Sequence, residues 1–395
     1  MKILFLSHRI PWPIKDGGAL AIHNNLKGFI DAGHEVKLLC LNPQKDHTSL
    51  DQTPEYFAKA NPTCFHVNTD LSAWAAIKNL FSKESYHVIR FFLPEFAEAL
   101  IEELTKRQYD VVHMEGAFIG QYAGLIRKHS KACLVLREHN VEYRIWESMA
   151  KLSGNQLKTM YLNLLATRLQ TYEETLWKQV DMIDAISPDD LVVFKQFNPN
   201  SYLGGAGFEL DTYMKVKERG QARTIFHLGS MDWLPNREAM GWLLNSIWPE
   251  IHKSYPEWKL FLAGKKMPRE WMRQGFNLRI EGEVASATAY MAQYQVMVVP
   301  LKSGSGVRIK TIEAMALGKV VITTNVGLRG LEMEHGKEVL VANTPSEFVA
   351  AIRFLEENPE QMEAIGEAAR KKVQELYANE NHIARLIEKY RNCRP

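Results

Sequence analysis

Short apolar runs alternate with stretches of helical periodicity along the chain, and this pattern restricts the possible folds more than any other feature. A continuous apolar run of about four to eight residues predicts a strand that is buried on both faces of a parallel sheet. Strands that alternate with helices in this way form βαβ units. The predicted strands of the first half are residues 3–6, 36–41, 111–112, 134–136 and 182–186.

The second half repeats this scheme, with predicted strands at residues 224–228, 260–263, 296–300 and 320–323. A chain of 395 residues exceeds the usual size of one domain, so two domains are expected. We predict an α/β fold with two Rossmann-like, doubly wound parallel sheets, one in residues 1–200 and one in residues 201–378. The turn-rich segment 197–220 is the predicted linker, and a helix in residues 379–395 is predicted to cross back to the first domain.

The composition excludes several classes of protein. Lys and Arg number 48 against 46 Asp and Glu, and this balance argues against a nucleic-acid-binding protein. The four cysteines are far apart and form no C-x-x-C motif, which predicts a reducing, cytoplasmic setting without disulfides. The N-terminus lacks the features of a signal peptide, and no apolar run reaches the roughly 18 residues of a membrane-spanning helix.

Aromatic and basic residues are interleaved between residues 71 and 96. This composition suits a peripheral contact with the inner face of a membrane. The alternative is a helix pair whose aromatic face packs on its own sheet while the basic side chains remain in water. The residues concerned are Trp74, Lys78, Phe81, Lys83, Arg90, Phe91, Phe92 and Phe96.

Several nucleotide-binding and hydrolase motifs are missing from the sequence. The loop after the first strand has no G-x-G-x-x-G, so an NAD-binding turn is not expected. The chain also lacks a P-loop, an H-E-x-x-H zinc motif and a G-x-S-x-G nucleophile motif. With these motifs absent, the remaining candidate binding sites are the glycine loops at the starts of helices.

Gly17 and Gly18 lie where the first helix begins. Free N–H groups and the positive end of the helix dipole can hold an anion there, and the missing side chains allow a phosphate to come close. The alternative is an ordinary turn in which Asp16 caps the helix.

A second glycine loop, Ser303 to Gly306, follows the predicted strand at 296–300 and leads into a helix. Lys310 and Glu313 share one face of that helix near its start. A lysine beside free N–H groups suits a diphosphate, and a carboxylate suits two ribose hydroxyls. The alternative is an exposed i,i+3 ion pair with no ligand.

With these motifs the chain resembles the retaining glycosyltransferases of family 4, which have the GT-B fold: two facing Rossmann-like domains, a nucleotide sugar in the cleft and no metal. The resemblance covers nearly the whole chain. Its segments are KILFLSHRIPWPIKDGGALAIHNNLKGFIDAGHEV at 2–36, DVVHMEG at 110–116, REHNVEYRIWE at 137–147, DAISPDD at 184–190, FHLGSMDWLPN at 226–236, FLAGKK at 261–266, IEGEV at 280–284 and GSGVRIKTIEAMALGKVVITTNVGLRG at 304–330.

The resemblance implies a set of functional residues. Glu313 is implied to bind the ribose, the backbone of residues 282–284 the base, and His113 the donor sugar. The implied catalytic residues are His113, Glu115 and Lys310, and the implied acceptor-side residues are His139, Asn140 and Glu142. The implied donor-binding residues are Gly17, Gly18, Gly229, Ser230, Asn236, Gly282, Val284, Gly304, Ser305, Gly306, Arg308, Lys310, Thr311 and Glu313.

The sequence departs from the family pattern at two places. Ser305 stands where the family has the first glutamate of its Glu, seven residues, Glu motif, so the task of that glutamate is unassigned. The Arg and Lys pair of the loop after strand 224–228 also has no counterpart in GSMDWLPN. Lys310 is therefore the first candidate for the partner of the diphosphate charge, and Arg308 is the second.

The expected activity is transfer of a glycosyl group from a nucleoside-diphosphate sugar, such as a UDP or GDP sugar, to a hydroxyl acceptor, with retention and without cofactor or metal. The expected acceptor is a surface glycan, a lipid-linked glycan or a glycoprotein. Family enzymes are thought to let a donor phosphate oxygen take the proton, and Glu115, Glu142 or His113 is a candidate to assist. The alternatives are an epimerase or hydrolase of the same fold and a non-catalytic nucleotide-sugar-binding protein.

Overall fold

The computed structural model describes all residues except 15, 71–78, 80–81, 83, 152, 217, 219, 272–273, 276, 305–307 and 394–395. It has two compact units, the N-terminal unit formed by Met1–Phe208 with Asn379–Pro395 and the C-terminal unit formed by Glu209–Ala378. The first unit extends past the predicted boundary at residue 200 because Ser201–Leu203 pairs as an edge strand with its sheet.

The N-terminal unit contains one parallel sheet of seven strands in the order β3-β2-β1-β4-β5-β6-β7. Because all of its strands are parallel, their carboxyl ends lie at one edge, where ligands of doubly wound folds bind. The strands are β1 Lys2–Ser7, β2 Glu35–Pro43, β3 Thr63–Val67, β4 Val111–Glu115, β5 Cys133–Glu138, β6 Met182–Ala185 and β7 Ser201–Leu203.

Helices cover both faces of this sheet and bury a separate hydrophobic core on each. The C-terminal helix lies on the same face as the first helix, and its Ile383 packs so close to Gly28 that a Cβ at residue 28 would overlap it. The described helices are Gly17–Asp31, Glu55–Lys59, Tyr86–Ile89, Pro94–Lys106, Ala123–His129, Glu142–Lys151, Gln156–Gln179, Pro188–Phe194 and Asn379–Arg391.

The C-terminal helix also brings two cysteines together. Cys393, just after this helix, forms a disulfide with Cys133 at the start of β5. The prediction of a chain without disulfides is therefore wrong, because residues 260 positions apart in sequence become neighbours when the last helix returns to the first sheet. Cys40 and Cys64 are free and face each other across β2 and β3, with 2.9 Å between their Sγ atoms.

The C-terminal unit contains a second sheet in the order β10-β11-β9-β8-β12-β13-β14. All of its pairings are parallel except that of β10 with β11. The prediction of two parallel α/β sheets is confirmed. The strands are β8 Thr224–Leu228, β9 Lys259–Ala263, β10 Gln274–Gly275, β11 Leu278–Ile280, β12 Val296–Val299, β13 Val320–Thr323 and β14 Leu340–Val341.

The helices of the C-terminal unit follow its strands in the same alternating order. Two of them are joined end to end by a π-helical turn, Leu243–Ile247. The described helices are Asp211–Met214, Leu234–Trp242, Trp248–Ser254, Ala287–Ala292, Ile309–Ala316, Asn325–Leu328, Pro345–Glu357 and Pro359–Tyr377.

The aromatic and basic segment 71–96 is described only in part, since residues 71–78, 80–81 and 83 lie outside the described residues. Phe91 and Phe96 are buried in the N-terminal core, as the packed alternative predicts. Phe92 is half exposed and stacks on Tyr122. Among the helices that the structure describes, none has the length and apolarity needed to cross a bilayer.

Candidate functional site

Glu115, the last residue of β4, is the centre of a polar network at the carboxyl edge of the N-terminal sheet. Its side chain is fully buried, and its carboxylate accepts three hydrogen bonds. The donors are His113 Nε2 at 2.9 Å, His139 Nε2 at 2.7 Å and Asn25 Nδ2 at 3.1 Å. Burial alone raises the pKa of Glu115, but the hydrogen bonds from the two histidines outweigh it and hold the pKa well below its ordinary value. Glu115 is therefore ionised.

His113 does not reach the surface of the N-terminal unit. Its side chain is 0% exposed, it stacks on Phe5 with ring centres 4.7 Å apart, and its Nδ1 accepts a hydrogen bond from Tyr390 at 2.7 Å. Both ring nitrogens of His113 are thus engaged inside the unit, and the implied contact between His113 and the donor sugar stays a prediction. His113 holds Glu115 in place.

His139 lies at the surface end of the same network, just after β5. Its side chain is 15% exposed, and a Cβ added to Gly18 would lie 3.5 Å from its Nδ1. The same added Cβ would lie 2.7 Å from Arg9 Nη2, so Arg9 also lies against Gly18. The predicted residues Gly18, Glu115 and His139 are therefore brought together, and Arg9 joins them.

The helix that begins at Gly17 is capped by its own chain. The Asp16 carboxylate accepts from the Ala19 N–H at 2.8 Å and from both Arg9 Nη atoms, at 2.6 and 2.9 Å. Burial raises the pKa of Asp16, but the hydrogen bonds from Arg9 and Ala19 and the charge of Arg9 together outweigh this, and the pKa is lowered. The structure thus shows the Asp16 cap that the alternative describes, and the anion site at Gly17 and Gly18 stays a prediction.

A buried arginine lies beneath the network. Arg137 Nη1 donates to Asp184 Oδ2, Nη2 donates to the Gly205 carbonyl at 2.6 Å, and Nε lies 4.0 Å from Glu115 Oε2. All three charged side chains are 0% exposed. Arg137 supplies the positive charge that two buried carboxylates require.

The acceptor-side residues Asn140 and Glu142 lie at the start of the helix Glu142–Lys151. The Asn140 amide donates to Glu142 Oε1 at 3.4 Å. The Glu173 carboxyl group accepts from the N–H groups of Glu142 and Tyr143, at 3.0 and 2.9 Å, and so caps this helix. Burial, together with the charges of Glu142 and Asp190, raises the pKa of Glu173 to about 8.

This shift predicts a pH dependence of stability. Folded Glu173 keeps its proton up to about pH 8, whereas the unfolded chain releases it near its ordinary value of 4.5. Between these values the unfolded state binds fewer protons, so the free energy of unfolding falls as pH rises, by at most about 1.4 kcal/mol per pH unit.

Urea unfolding of Glu173→Gln at pH 5 to 8 is expected to show a smaller slope with pH than the wild type. Glu174→Gln, at the next position of the same helix, is the matched control and is expected to keep the wild-type slope. Equal slopes for the wild type and Glu173→Gln contradict the assignment.

Three glycines lie at the carboxyl edge of the sheet in the C-terminal unit. Gly229 follows β8, Gly264 follows β9 and Gly282 lies just beyond β11. A Cβ at Gly264 would overlap the Gly229 carbonyl oxygen, and the Gly264 N–H donates to the Gly282 carbonyl at 3.0 Å. These contacts require glycine at residue 264, where φ is +155°. The predicted residues Gly229 and Gly282 are therefore joined through Gly264, and Val284 lies two residues beyond Gly282 with its side chain partly buried.

Asn236 closes the loop after β8. Its side-chain amide donates to the Ser230 carbonyl at 3.0 Å, and this hydrogen bond joins the two ends of the loop. His227 lies beneath the loop and donates from Nδ1 to the Val298 carbonyl at 2.8 Å. Burial lowers the pKa of His227 to about 4, so this imidazole is neutral.

The loop after β12 packs on a tryptophan of the loop after β8. The Arg308 guanidinium lies 5.0 Å from the ring centre of Trp233, and a Cβ at Gly304 would lie 2.8 Å from the same ring. Burial, followed by the charge of Arg329, lowers the pKa of Arg308. The predictions for Ser305 and Gly306 lie outside the described residues.

Glu313, on the helix Ile309–Ala316, is a predicted donor residue whose two carboxylate oxygens both have partners in the structure. Lys310 Nζ lies 2.6 Å from Glu313 Oε2, and Tyr213 donates to Glu313 Oε1 at 2.8 Å. The Lys310 side chain is 42% exposed and that of Glu313 12%. Lys310 and Glu313 thus form the i,i+3 ion pair that was the alternative to a ligand site, while the exposed lysine stays accessible to an anion. Thr311 is buried.

Sequence reasoning missed Arg9, Arg137, Trp233, Tyr213 and Tyr390. The first two follow or end a predicted strand, a position that points to the carboxyl edge of a parallel sheet. Trp233 lies within the motif segment FHLGSMDWLPN, between the predicted donor-binding residues Ser230 and Asn236. Tyr213 and Tyr390 carry no local signal, since their partners lie 100 and 277 residues away.

One group of candidate metal ligands occurs among the described residues, formed by Cys133, Asp181 and Cys393. Two of its three members are joined in the disulfide. This group therefore does not offer the thiolates that a metal would bind.

Residues 222–358 match the family model described as Glycosyl transferases group 1. An "Uncharacterized 44.6 kDa protein in cps region" of Klebsiella pneumoniae is 21% identical, with 98% of this chain and 99% of that protein covered.

Two solved proteins share the fold over almost the whole chain. Sucrose-phosphate synthase from Thermosynechococcus elongatus is 16% identical, with a TM-score of 0.63 and 99% of each chain covered. Anabaena Alr3699/HepE in complex with UDP is 14% identical, with a TM-score of 0.64 and 99% of this chain and 100% of that chain covered. The same Anabaena protein in complex with UDP-glucose gives a TM-score of 0.60 at 13% identity, with the same coverage. The protein therefore has the GT-B fold, and a segment of its C-terminal unit is similar to the glycosyl transferases group 1 family.

Proposed function

We propose that the protein transfers a glycosyl group from a nucleoside-diphosphate sugar to a hydroxyl acceptor, with retention of the anomeric configuration and without a metal. The C-terminal unit binds the donor, and the N-terminal unit binds the acceptor. The observation that carries the proposal is the carboxyl edge of the C-terminal sheet, where the glycines follow β8, β9 and β11, and the helix with the exposed Lys310 and Glu313 follows β12, the neighbour of β8. These groups suit a base, a diphosphate and a ribose.

UDP is the first candidate for the nucleotide. The fold neighbour from Anabaena was solved with UDP and with UDP-glucose, which supports this choice. Backbone groups of residues 282–284 are the proposed partners of the base. Because the Gly282 carbonyl already accepts from Gly264, the proposed contacts come from the remaining backbone groups of this loop.

Negative charge develops on the diphosphate when the bond to the sugar breaks. Groups that are already aimed at this charge stabilise the transition state. Lys310 is 42% exposed and flexible enough to exchange Glu313 for a phosphate oxygen, and Arg308 lies two residues before it. A surface glycan is the proposed acceptor, and the relative described by its place in a cps region supports this.

Lys310→Ala is expected to slow sugar transfer by about 10-fold or more while the affinity for the free nucleoside changes little. The reason is that the ammonium group acts on the leaving diphosphate and makes no contact with the nucleoside. Steady-state rates and nucleoside titrations check this. Lys337→Ala removes a similar i,i+3 ion pair, Lys337 with Glu334 at 2.6 Å, and is expected to leave both quantities unchanged. Normal transfer by Lys310→Ala contradicts the role.

The nucleotide is tested by thermal shift with a chelator present. Purified protein is heated with UDP, GDP, ADP, CDP and dTDP in turn. We expect a rise of the melting temperature by a few degrees with UDP, because a ligand of the folded state stabilises it by mass action. No shift with any of the five contradicts donor binding, and binding without turnover of the corresponding sugar favours a nucleotide-sugar-binding protein.

A further inference from the structure

One stretch of the N-terminal unit has no acidic residue. Residues 148–172 contain neither Asp nor Glu, although these two types number 46 in the 395 residues of the chain. The same stretch contains Lys151, Lys158 and Arg168. It is therefore cationic in a chain whose formal charge is only +2.

This stretch belongs to a hairpin of two helices, Glu142–Lys151 and Gln156–Gln179, that pack against each other. Thr159 Oγ1 lies 3.4 Å from the Ala150 carbonyl oxygen near the connection, and Glu173 caps the first helix at the opposite end. These contacts show that the two helices are antiparallel. The end of the first helix and the start of the second therefore lie together.

The hairpin tip, residues 144–160, exposes large apolar side chains. Leu157 is 77% exposed and Met160 64%, and they share one face of the second helix because they are three residues apart. Ile145 and Met149, four residues apart on the first helix, are 42% and 45% exposed. A helix on the surface of a globular domain normally turns such residues toward the core. The hairpin tip thus presents apolar surface to the solvent.

Lysines lie beside this apolar surface. Lys151 and Lys158 are both exposed, one on each side of the connection between the helices. The acidic residue of the hairpin tip, Glu147, is partly buried. Apolar and cationic groups are therefore exposed together, with little opposing charge.

We propose that the hairpin tip binds the surface of an anionic phospholipid membrane. Helices with apolar side chains on one face and lysines beside them lie in the interface of a bilayer, where the apolar groups enter the acyl boundary and the cations approach the lipid phosphates. This inference goes beyond the proposed function and does not depend on it, because adsorption to lipid involves no transfer of sugar.

The membrane contact expected from the sequence was placed in residues 71–96, and the described part of that segment packs against the hairpin. Arg168 Nη1 donates to the Asn79 carbonyl at 2.7 Å. His87 stacks on Trp146, with ring centres 3.8 Å apart. These contacts support the hairpin, and the proposed membrane surface lies on the hairpin itself.

A second copy of this chain fits the hairpin tip less well than a membrane does. In a symmetric dimer the same surface meets itself, so Lys151 and Lys158 of one copy approach those of the other with like charge. An anionic bilayer accepts the apolar side chains and the lysines at the same time. Charge complementarity therefore favours lipid as the occupant.

Co-sedimentation of the full chain with lipid vesicles tests the proposal. One set of vesicles contains phosphatidylcholine alone, and the other contains phosphatidylcholine with about one third phosphatidylglycerol. We expect partitioning into the anionic vesicles to be about 10-fold stronger or more, since each lysine near an anionic surface adds to the affinity. In about 1 M salt, where charges are screened within about 3 Å, this difference is expected to disappear.

Three variants locate the contact. Leu157→Gln is expected to weaken partitioning into anionic vesicles about 10-fold, because it removes a large apolar group from the interface. Lys151→Gln combined with Lys158→Gln is expected to weaken it about 10-fold or more and to leave binding to phosphatidylcholine unchanged. Leu50→Gln changes an exposed leucine that follows β2 in the same unit, and as the matched control it is expected to partition as the wild type does. Unchanged melting temperatures show that each variant is folded.

The proposal is overturned if the wild type does not bind anionic vesicles, or if both hairpin variants bind them as the wild type does. A dimer in light scattering that Leu157→Gln dissociates also overturns it, since the hairpin tip would then be an interface between copies of the chain. Failure of the protein to release a nucleotide from any sugar donor contradicts the proposed function alone and leaves the membrane contact standing.

Discussion

Glu313→Ala is expected to lower the affinity for UDP by about 100-fold or more. The proposed complex has two hydrogen bonds from ribose hydroxyls to an ionised carboxylate, and each contributes about 1.5 to 3 kcal/mol. A loss of about 3 kcal/mol or more corresponds to that factor, since 1.4 kcal/mol changes an equilibrium constant tenfold. Isothermal titration calorimetry with UDP measures it directly.

The chain supplies a matched control for this variant. Glu334 forms an i,i+3 ion pair with Lys337 at 2.6 Å, the same distance as in the pair of Glu313 with Lys310. Glu334→Ala is expected to bind UDP as the wild type does. If Glu313→Ala also binds UDP normally, the carboxylate serves the ion pair and the Tyr213 hydrogen bond, and the ribose assignment is wrong.

Arg137→Met is expected to lower the free energy of unfolding by about 3 to 5 kcal/mol. The substitution leaves Asp184 and Glu115 fully buried without their cation, and removal of one partner from a buried pair has effects of this size. The Gly205 carbonyl also loses its donor. Urea unfolding followed by circular dichroism gives the change.

Arg223→Met is the control for this prediction. Arg223 pairs with Glu356 at 2.6 Å, but its side chain is 53% exposed, and exposed pairs contribute little. We expect a much smaller change for it. Similar changes in the two variants would mean that burial of the Arg137 cluster does not matter for stability.

The two parallel sheets could be predicted because their strands are buried on both faces. A buried strand such as Ile3 to Leu6 is visible in the sequence as a continuous apolar run. The amphipathic helix that follows it is visible from the helical spacing of its apolar residues. The glycine loops and Glu313 could be selected because strand ends and helix starts are local in sequence. The short edge strands β10 and β14 carry too few residues to show a pattern.

Packing decided what the sequence left open. His113 ends a predicted strand in the same way as a ligand-binding residue, but Phe5 and Tyr390 cover it. Asp16 and Gly18 are consistent with an anion site and with a capped turn, and the structure shows that Asp16 caps the helix and pairs with Arg9. The disulfide depends on the return of the last helix to β5, which no local pattern of cysteines shows.

We propose that this protein cleaves a nucleotide sugar by group transfer. Release of free UDP from UDP-glucose, measured with the purified protein in a chelating buffer, tests it most directly. We expect release above the protein-free rate, near-complete loss in Glu313→Ala at UDP-glucose concentrations close to the wild-type KM, and the wild-type rate in Glu334→Ala. No release from UDP-glucose or from any other sugar donor, with UDP still bound, would contradict it and leave a protein that binds nucleotides without transferring sugar.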